Sequence, residues 1–134
     1  MKIINKHSDY AIRAIVYLAK NEERFVPSSE ISKKEGIPLI FLRRILQQLI
    51  KNKVVVSKEG IKGGVKLIKH PEQINVAEIV ILLQGDIGLI ECMFRSHICS
   101  KRSKCPLRRK ILELEQEVIK KLKKISIRDL IEDT

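Results

Sequence analysis

Tryptophan is absent from this chain of 134 residues, and aromatic residues of all kinds make up only 4%. Any core must therefore be aliphatic, built from Ile, Leu and Val. No apolar run approaches the ~20 residues needed to span a bilayer, and the stretch Met1–His7 has no hydrophobic block of leader length. A cytoplasmic location with no membrane role is the expectation. The marks of an enzyme are missing too: there is no Ser–His–Asp set, no phosphate-cradling glycine loop and no pair of catalytic carboxylates. Internal repeats and low-complexity tracts are absent. Cysteine occurs only within one stretch of fourteen residues.

Apolar residues at 44% and charged residues at 32% are enough for one packed domain, or one domain with a dimerisation arm. The charge is lopsided. The formal net charge is +11, and two segments carry the whole excess. Residues 41–70 hold eight basic residues and one acidic; residues 92–110 hold seven basic and none acidic. A merely soluble lysine-rich surface would spread its charge more evenly, so this pattern points to a polyanionic partner, most simply nucleic acid.

Local patterns predict mostly helix. Residues 8–20 read as a first helix, with Ser8 as N-cap, Asp9 in the first turn and Ala11, Ile12, Ile15, Val16, Leu18 and Ala19 as a wide apolar face. A short helix from Ser28 or Ser29 runs to a stop at Gly36. After Ile37-Pro38 a third helix covers about residues 39–52, with Pro38 close to its first position. Two helices split around a Gly are the helix-turn-helix signature. In the second of them Leu42, Ile45, Leu46 and Leu49 recur at i, i+3, i+4 and i+7 and must face inward. Arg43, Arg44, Gln47, Gln48 and Lys51 fall on the other side with no acidic partner among them.

The period then changes. Val54–Lys58 and Val65–Ile68 flank Glu59-Gly60-Ile61-Lys62-Gly63-Gly64, and two β-branched runs around a Gly-rich turn read as a hairpin. A hairpin directly after a recognition-like helix is a wing. His70-Pro71-Glu72 breaks the strand, and an apolar helix from Val76 to Gln84 ends at Gly85. From about Pro106 to Ile125 one long helix places Leu107, Ile111, Leu114, Val118, Leu122 and Ile125 at spacings near a heptad seam, which suits pairing with an identical helix. Ser126-Ile127-Arg128-Asp129 reads as a capping box opening a last short helix, Ile127 to Ile131.

The expected fold class is mainly α with a small β-hairpin wing: a winged helix-turn-helix with a long C-terminal dimerisation helix. Residues 1–85 would form the DNA-binding domain, 86–105 a cysteine-containing loop, and 106–134 the dimerisation helix with the short last helix. A major groove admits an α-helix, whose N-terminal part reads base edges. The candidate DNA contacts are therefore Leu39, Ile40, Phe41, Arg43, Arg44 and Gln47. The wing residues Lys58, Lys62 and Lys66 are placed for phosphates.

Cys92-x6-Cys99-x5-Cys105 is an odd count, which argues against a disulfide framework. The spacing lacks the Cys-x2-Cys knuckles of a zinc ribbon and is more open than ferredoxin runs. Three thiolates so spaced can wrap one face of an iron–sulfur cluster, with a fourth ligand from elsewhere. Arg95, Lys101, Arg102, Lys104, Arg108 and Arg109 surround the thiols and favour the thiolate. His97, inside the loop, is one candidate fourth ligand, and with the three thiols it could also hold a structural zinc. Three metal-free thiols acting as a redox switch are the other reading.

Ser8-Asp9-Tyr10-Ala11-Ile12, Glu35-Gly36-Ile37-Pro38 leading to Phe41-Leu42, the wing stretch Glu59–Gly64 and the three-cysteine segment before a long helix together resemble the Rrf-two family of winged-helix transcription regulators, and within it the cluster-binding branch. The resemblance covers essentially the full length. It implies a homodimer on a palindromic operator in double-stranded DNA, a repressor whose cluster (4Fe–4S, with 2Fe–2S as the other form) reports iron–sulfur, iron, nitric-oxide or redox status. Two positions depart from the family pattern. The first cysteine spacing is x6 where x5 is common, and the His that one branch places three residues after the third cysteine is Arg108 here. Another branch uses an Asp at the start of the first helix, reaching across the dimer. Asp9 occupies that position, and the resemblance favours it over His97 as fourth ligand.

Overall fold

The computed structural model describes residues 2–89 and 105–132. Helix α1 spans Lys6–Ala19 and so begins earlier than the local pattern predicts. Its cap is Asn5, whose Oδ1 accepts the Ser8 N–H at 3.0 Å. Ser8 is therefore not the cap. Its side chain is fully buried, and its hydroxyl has no hydrogen-bond partner among the described residues. Asn5 is fixed from a distance as well, since its own N–H donates to Gln84 Oε1 at 2.9 Å. The inward face of α1 is Ala11, Ala14, Ile15, Leu18 and Ala19.

Helix α2, Ser28–Glu35, ends at Gly36, which takes the left-handed conformation at φ 64°. Such a residue is cheapest as glycine. Helix α3, Leu39–Lys51, follows with Pro38 before it and buries Leu42, Ile45, Leu46 and Leu49 as expected. Strands β1, Val55–Lys58, and β2, Gly64–Leu67, pair antiparallel with Val55 opposite Leu67 and Lys58 opposite Gly64. The hairpin is tied to the body by Val26, whose N–H donates to the Val65 carbonyl at 2.8 Å while Val65 N–H returns the bond at 2.9 Å.

After a 3-10 turn at Pro71–Gln73, helix α4 runs Val76–Gln84, capped by Asn75. Helix α5 spans Pro106–Lys123 and α6 spans Ile127–Glu132. The predicted capping box is present: Ser126 N–H donates to Asp129 Oδ2 at 2.8 Å, and Asp129 N–H to Ser126 Oγ at 3.2 Å. Helix α5 stops short of Ile125 because that residue's carbonyl accepts the Val76 N–H at 2.9 Å, while Ile127 N–H donates to Ile74 at 2.8 Å. The backbone groups that would have extended the helix are satisfied by this short bridge instead.

Helix α1 is the hub, packed against α2, α3, α4, α6 and β2. The main core joins its inner face to Val26, Ile31, Ile37, the α3 leucines, Val54, Val55, Ile79 and Ile127. Fully burying Ile127 contributes about 1.5–3 kcal/mol by area, which anchors the chain's last helix in the winged-helix core. A second cluster of Val76, Val80 and Ile87 receives Ile119 and Leu122 of α5. Among the described residues no helix is long and apolar enough to cross a membrane.

Candidate nucleic-acid interface and cysteine segment

The outward side of α3 is basic, with no ion-pair partner among the described residues. Arg43, Arg44, Gln47, Gln48 and Lys51 are exposed, and neither arginine belongs to any ion pair among the described residues. Near the start of the helix Ile40 is 68% exposed and Phe41 41%, while Leu39 is half-buried. Ile40 is therefore free to meet a thymine methyl. Phe41 is held by His7 of α1, ring centroids 5.9 Å apart. Together with Arg44, Ile45, Gln48 and Leu83 these two rings line a cavity of about 120 Å³.

On the wing Lys58 and Lys62 are exposed and Lys66 half-buried. Lys58 and Lys66 lie on one face of the hairpin as diagonal neighbours, an arrangement in which like charges repel. Phe25, in the connection between α1 and α2, relieves this: both ammonium groups sit 5.6 Å from its ring centroid. Cation–π contacts of this kind contribute about 0.5–1 kcal/mol each at exposed sites. Phe25 escapes a reading by local pattern because its partners lie far along the chain. A groove of about 290 Å³ separates α3 from the wing, bounded by Arg43, Gln47, Ser57 and Gly64.

Cys105 is the N-cap residue of α5, partly exposed, with a free thiol. No side chain caps this helix, and Arg108 and Arg109 lie in its first turn. The sulfur is thus accessible at the start of a helix, and its chemistry suits a metal ligand. Cys92, Cys99 and His97 lie outside the described residues. Among the described residues no group of three or more His, Cys, Asp or Glu is disposed to hold a metal ion.

Asp9 is half-exposed and engaged: its Oδ2 accepts from Arg13 Nη2 at 2.8 Å, one turn along α1. Such an exposed i,i+4 pair is worth only about 0.3–0.5 kcal/mol, so it is a weak competitor for any stronger ligand of the carboxylate. The other Arg13 terminal nitrogen reaches the Glu35 carbonyl at 3.5 Å, at the end of α2. The spacing of Asp9 and Arg13 is itself the signal that reveals this pair in the sequence.

A third polar group positions α2. The Tyr17 hydroxyl donates to Glu30 Oε2, and Arg24 Nη1 donates to Glu30 Oε1 at 3.0 Å. Hydrogen bonds from Arg24 and then Tyr17 hold the Glu30 carboxyl down at about 2. The same bond to Glu30, with burial, pushes the Tyr17 phenol above its ordinary value.

A recognition helix with an unpaired basic face, followed by a lysine-bearing hairpin, defines a winged helix-turn-helix DNA-binding protein. The chain belongs to the Rrf2 family, "Iron-dependent Transcriptional regulator", whose profile matches residues 4–133. It is 37% identical over 125 residues to a protein of Aquifex aeolicus (strain VF5) named as an HTH-type transcriptional regulator, covering 91% of this chain and 86% of that one. It is 28% identical over 132 residues to the HTH-type transcriptional regulator NsrR of Oceanobacillus iheyensis, covering 97% and 90%. In fold it is similar to CymR (YrzC), the global cysteine regulator of B. subtilis, with a TM-score of 0.84 at 22% identity over 100% of this chain and 99% of that one. The members so named are regulators of transcription, not enzymes.

Proposed function

We propose that this regulator acts in the cytoplasm as a homodimeric repressor on a palindromic operator in double-stranded DNA, and that Cys92, Cys99, Cys105 and Asp9 bind an iron–sulfur cluster whose state sets DNA affinity. The observation that carries the DNA half is the exposed, unpaired face of α3: Arg43, Arg44 and Gln47 meet base edges, with Leu39, Ile40 and Phe41 at the helix start and Lys58, Lys62 and Lys66 on flanking phosphates. The sensing half is supported by a thiol at the uncapped start of α5 beside two arginines. It is supported too by a weakly held carboxylate whose partner Arg13 also touches the end of α2. When bound, a cluster (4Fe–4S, or 2Fe–2S as the other form) supplies a centre reactive toward oxygen and nitric oxide. The homodimer reading rests on Leu107 and Leu114 of α5, 63% and 56% exposed.

A second reading is a metal-free thiol switch, or a structural zinc held by the thiols and His97. The Asp9–Arg13 pair favours it, because it leaves the thiols without that carboxylate. An absorption spectrum of anaerobically purified protein, with iron, sulfide and zinc assayed on the same sample, separates the two. A broad band near ~400 nm with stoichiometric iron and sulfide is the expected result. Colourless protein that resists cluster reconstitution refutes the cluster, and bound zinc then selects the structural site.

A further inference from the structure

Lys58 and Lys66 are held by a ring and not by a carboxylate. Both ammonium groups lie 5.6 Å from the Phe25 ring centroid, and neither lysine belongs to an ion pair among the described residues. The distinction bears on function. An acidic partner would fix a lysine but cancel the charge that a phosphate needs. A ring attracts the cation through its quadrupole and leaves the full charge in place. An ammonium has three donors, so one held at a ring can still donate to a phosphate.

Core packing does not account for Phe25. Among the described residues the buried core is wholly aliphatic. Phe25 is half-buried and lies outside both core clusters and the side chains packed on them. Its own place is nonetheless fixed from both sides. Arg24 before it donates to the Glu30 carboxylate of α2, and Val26 after it makes the two-bond bridge to Val65. The ring thus belongs to the helix-turn-helix body, whereas the two lysines belong to the hairpin.

We infer that Phe25 is a positioning residue for DNA binding: it orders the Lys58 and Lys66 side chains, relative to the recognition helix, before a duplex arrives. This rests on the DNA reading above and goes beyond it, since that reading names only residues that touch the duplex. Lysine loses more rotamer freedom on ordering than most side chains, and immobilising such a chain at an interface opposes binding. Where the ring has already confined both chains, less remains to be lost. Lys62, in the turn between the strands, makes no ring contact among the described residues and serves as an internal control.

The test is a double-mutant cycle on the full chain, with a fluorescein-labelled duplex that the wild-type protein selects from a random pool. Phe25→Leu keeps apolar bulk and removes the ring. In the wild-type background it should weaken binding about fivefold. The salt slope should hold, because both ammonium groups still reach their phosphates in the complex. In a Lys58→Ala, Lys66→Ala background the same change should cost less than about twofold, and in a Lys62→Ala background about fivefold again. Phe25→Trp, which offers a stronger ring face, should bind at least as tightly as wild type. A Phe25→Leu loss of equal size in every background overturns the inference and marks the ring as packing for the α1–α2 connection. So does a Phe25→Leu variant that binds as tightly as wild type, or more tightly because the ring withholds the lysines from DNA. Each of these leaves the DNA reading standing, whereas a wild-type chain that selects no duplex overturns both. Matching circular-dichroism spectra at the assay temperature keep a folding defect out of the comparison.

Discussion

Replacing Gly64 with Ala should unfasten the wing. Gly64 opens β2 at φ 145°, a conformation that side chains rarely adopt, and holding one there costs about 1–3 kcal/mol. Space is the harder constraint. A Cβ at this position would lie 2.7 Å from Pro27 N and nearer still to the Val26 carbonyl. That carbonyl is the one that accepts the Val65 N–H, in the two-bond bridge joining hairpin to body. Relieving the clash means moving Val26 away, which sacrifices both bonds at about 1 kcal/mol each. The total is about 3–5 kcal/mol, a large part of the 5–15 kcal/mol that holds a typical domain together. For a chain of this size each kcal/mol moves Tm by about 3–5 °C, so a circular-dichroism melt should fall by about 10–20 °C. Binding to a selected duplex should weaken as the wing lysines lose their footing, with a smaller salt slope than wild type. A Gly64→Ala variant melting within a few degrees of wild type, with an unchanged slope, would refute the idea that the Val26–Val65 bridge holds the wing.

Three further outcomes are expected. Glu30→Gln removes the carboxylate shared by Arg24 and Tyr17 and, after allowing for exposure, should cost about 1 kcal/mol. Because Glu30 titrates at about 2 in the fold against 4.5 ordinarily, its contribution is complete above pH 4.5 and fades as pH falls toward 2. Melts across that window should therefore show wild type and Glu30→Gln converging at the acid end, and parallel curves would contradict this. On the interface, Arg44→Ala should cost about 1–3 kcal/mol of binding and relax discrimination at one base pair. Lys66→Ala, by contrast, should weaken all duplexes alike and lower the salt slope by about one; sedimentation-free anisotropy titrations at several salt concentrations distinguish the two patterns. On α5, Leu107→Glu with Leu114→Glu alters exposed residues only, so the melt of the fold should hold while light scattering reports a monomer. A dimer that survives both changes would place its contact elsewhere.

The elements that could be read from the sequence are those whose determinants lie within a turn or two of each other. The face of α3, the stop at Gly36, the wing around its glycines and the Ser126–Asp129 capping box all have this character, and each is where local chemistry puts it. What could not be read depends on distant partners. Asn5 and Ser8 are both good caps three residues apart. The choice falls to Asn5 because Gln84 holds its backbone and the core takes the Ser8 side chain, a competition invisible to any short window. Phe25 looks like one more apolar residue until the hairpin returns two lysines to its ring.

The apolar stripe of α5 shows the same division in one element. Its period is plain in the sequence, but the period does not say which part of the stripe the chain's own core will consume. The bridge between Asn75 and Ser126 pulls the C-terminal end of α5 onto α4, so Ile119 and Leu122 pack there. Among the described residues nothing covers Leu107 and Leu114, in the N-terminal part. At 1.5 Å of rise per residue, Leu114 lies only about 13 Å along the helix from Cys105 and Leu107 about 3 Å. At about 3.6 residues per turn Leu107 and Leu114 share one side of α5, and Cys105 projects from the opposite side. If a partner helix covers the two leucines, the thiol is near that contact along the axis but faces away from it. A change at Cys105 would then reach the pairing of two copies only through the first turns of α5 itself.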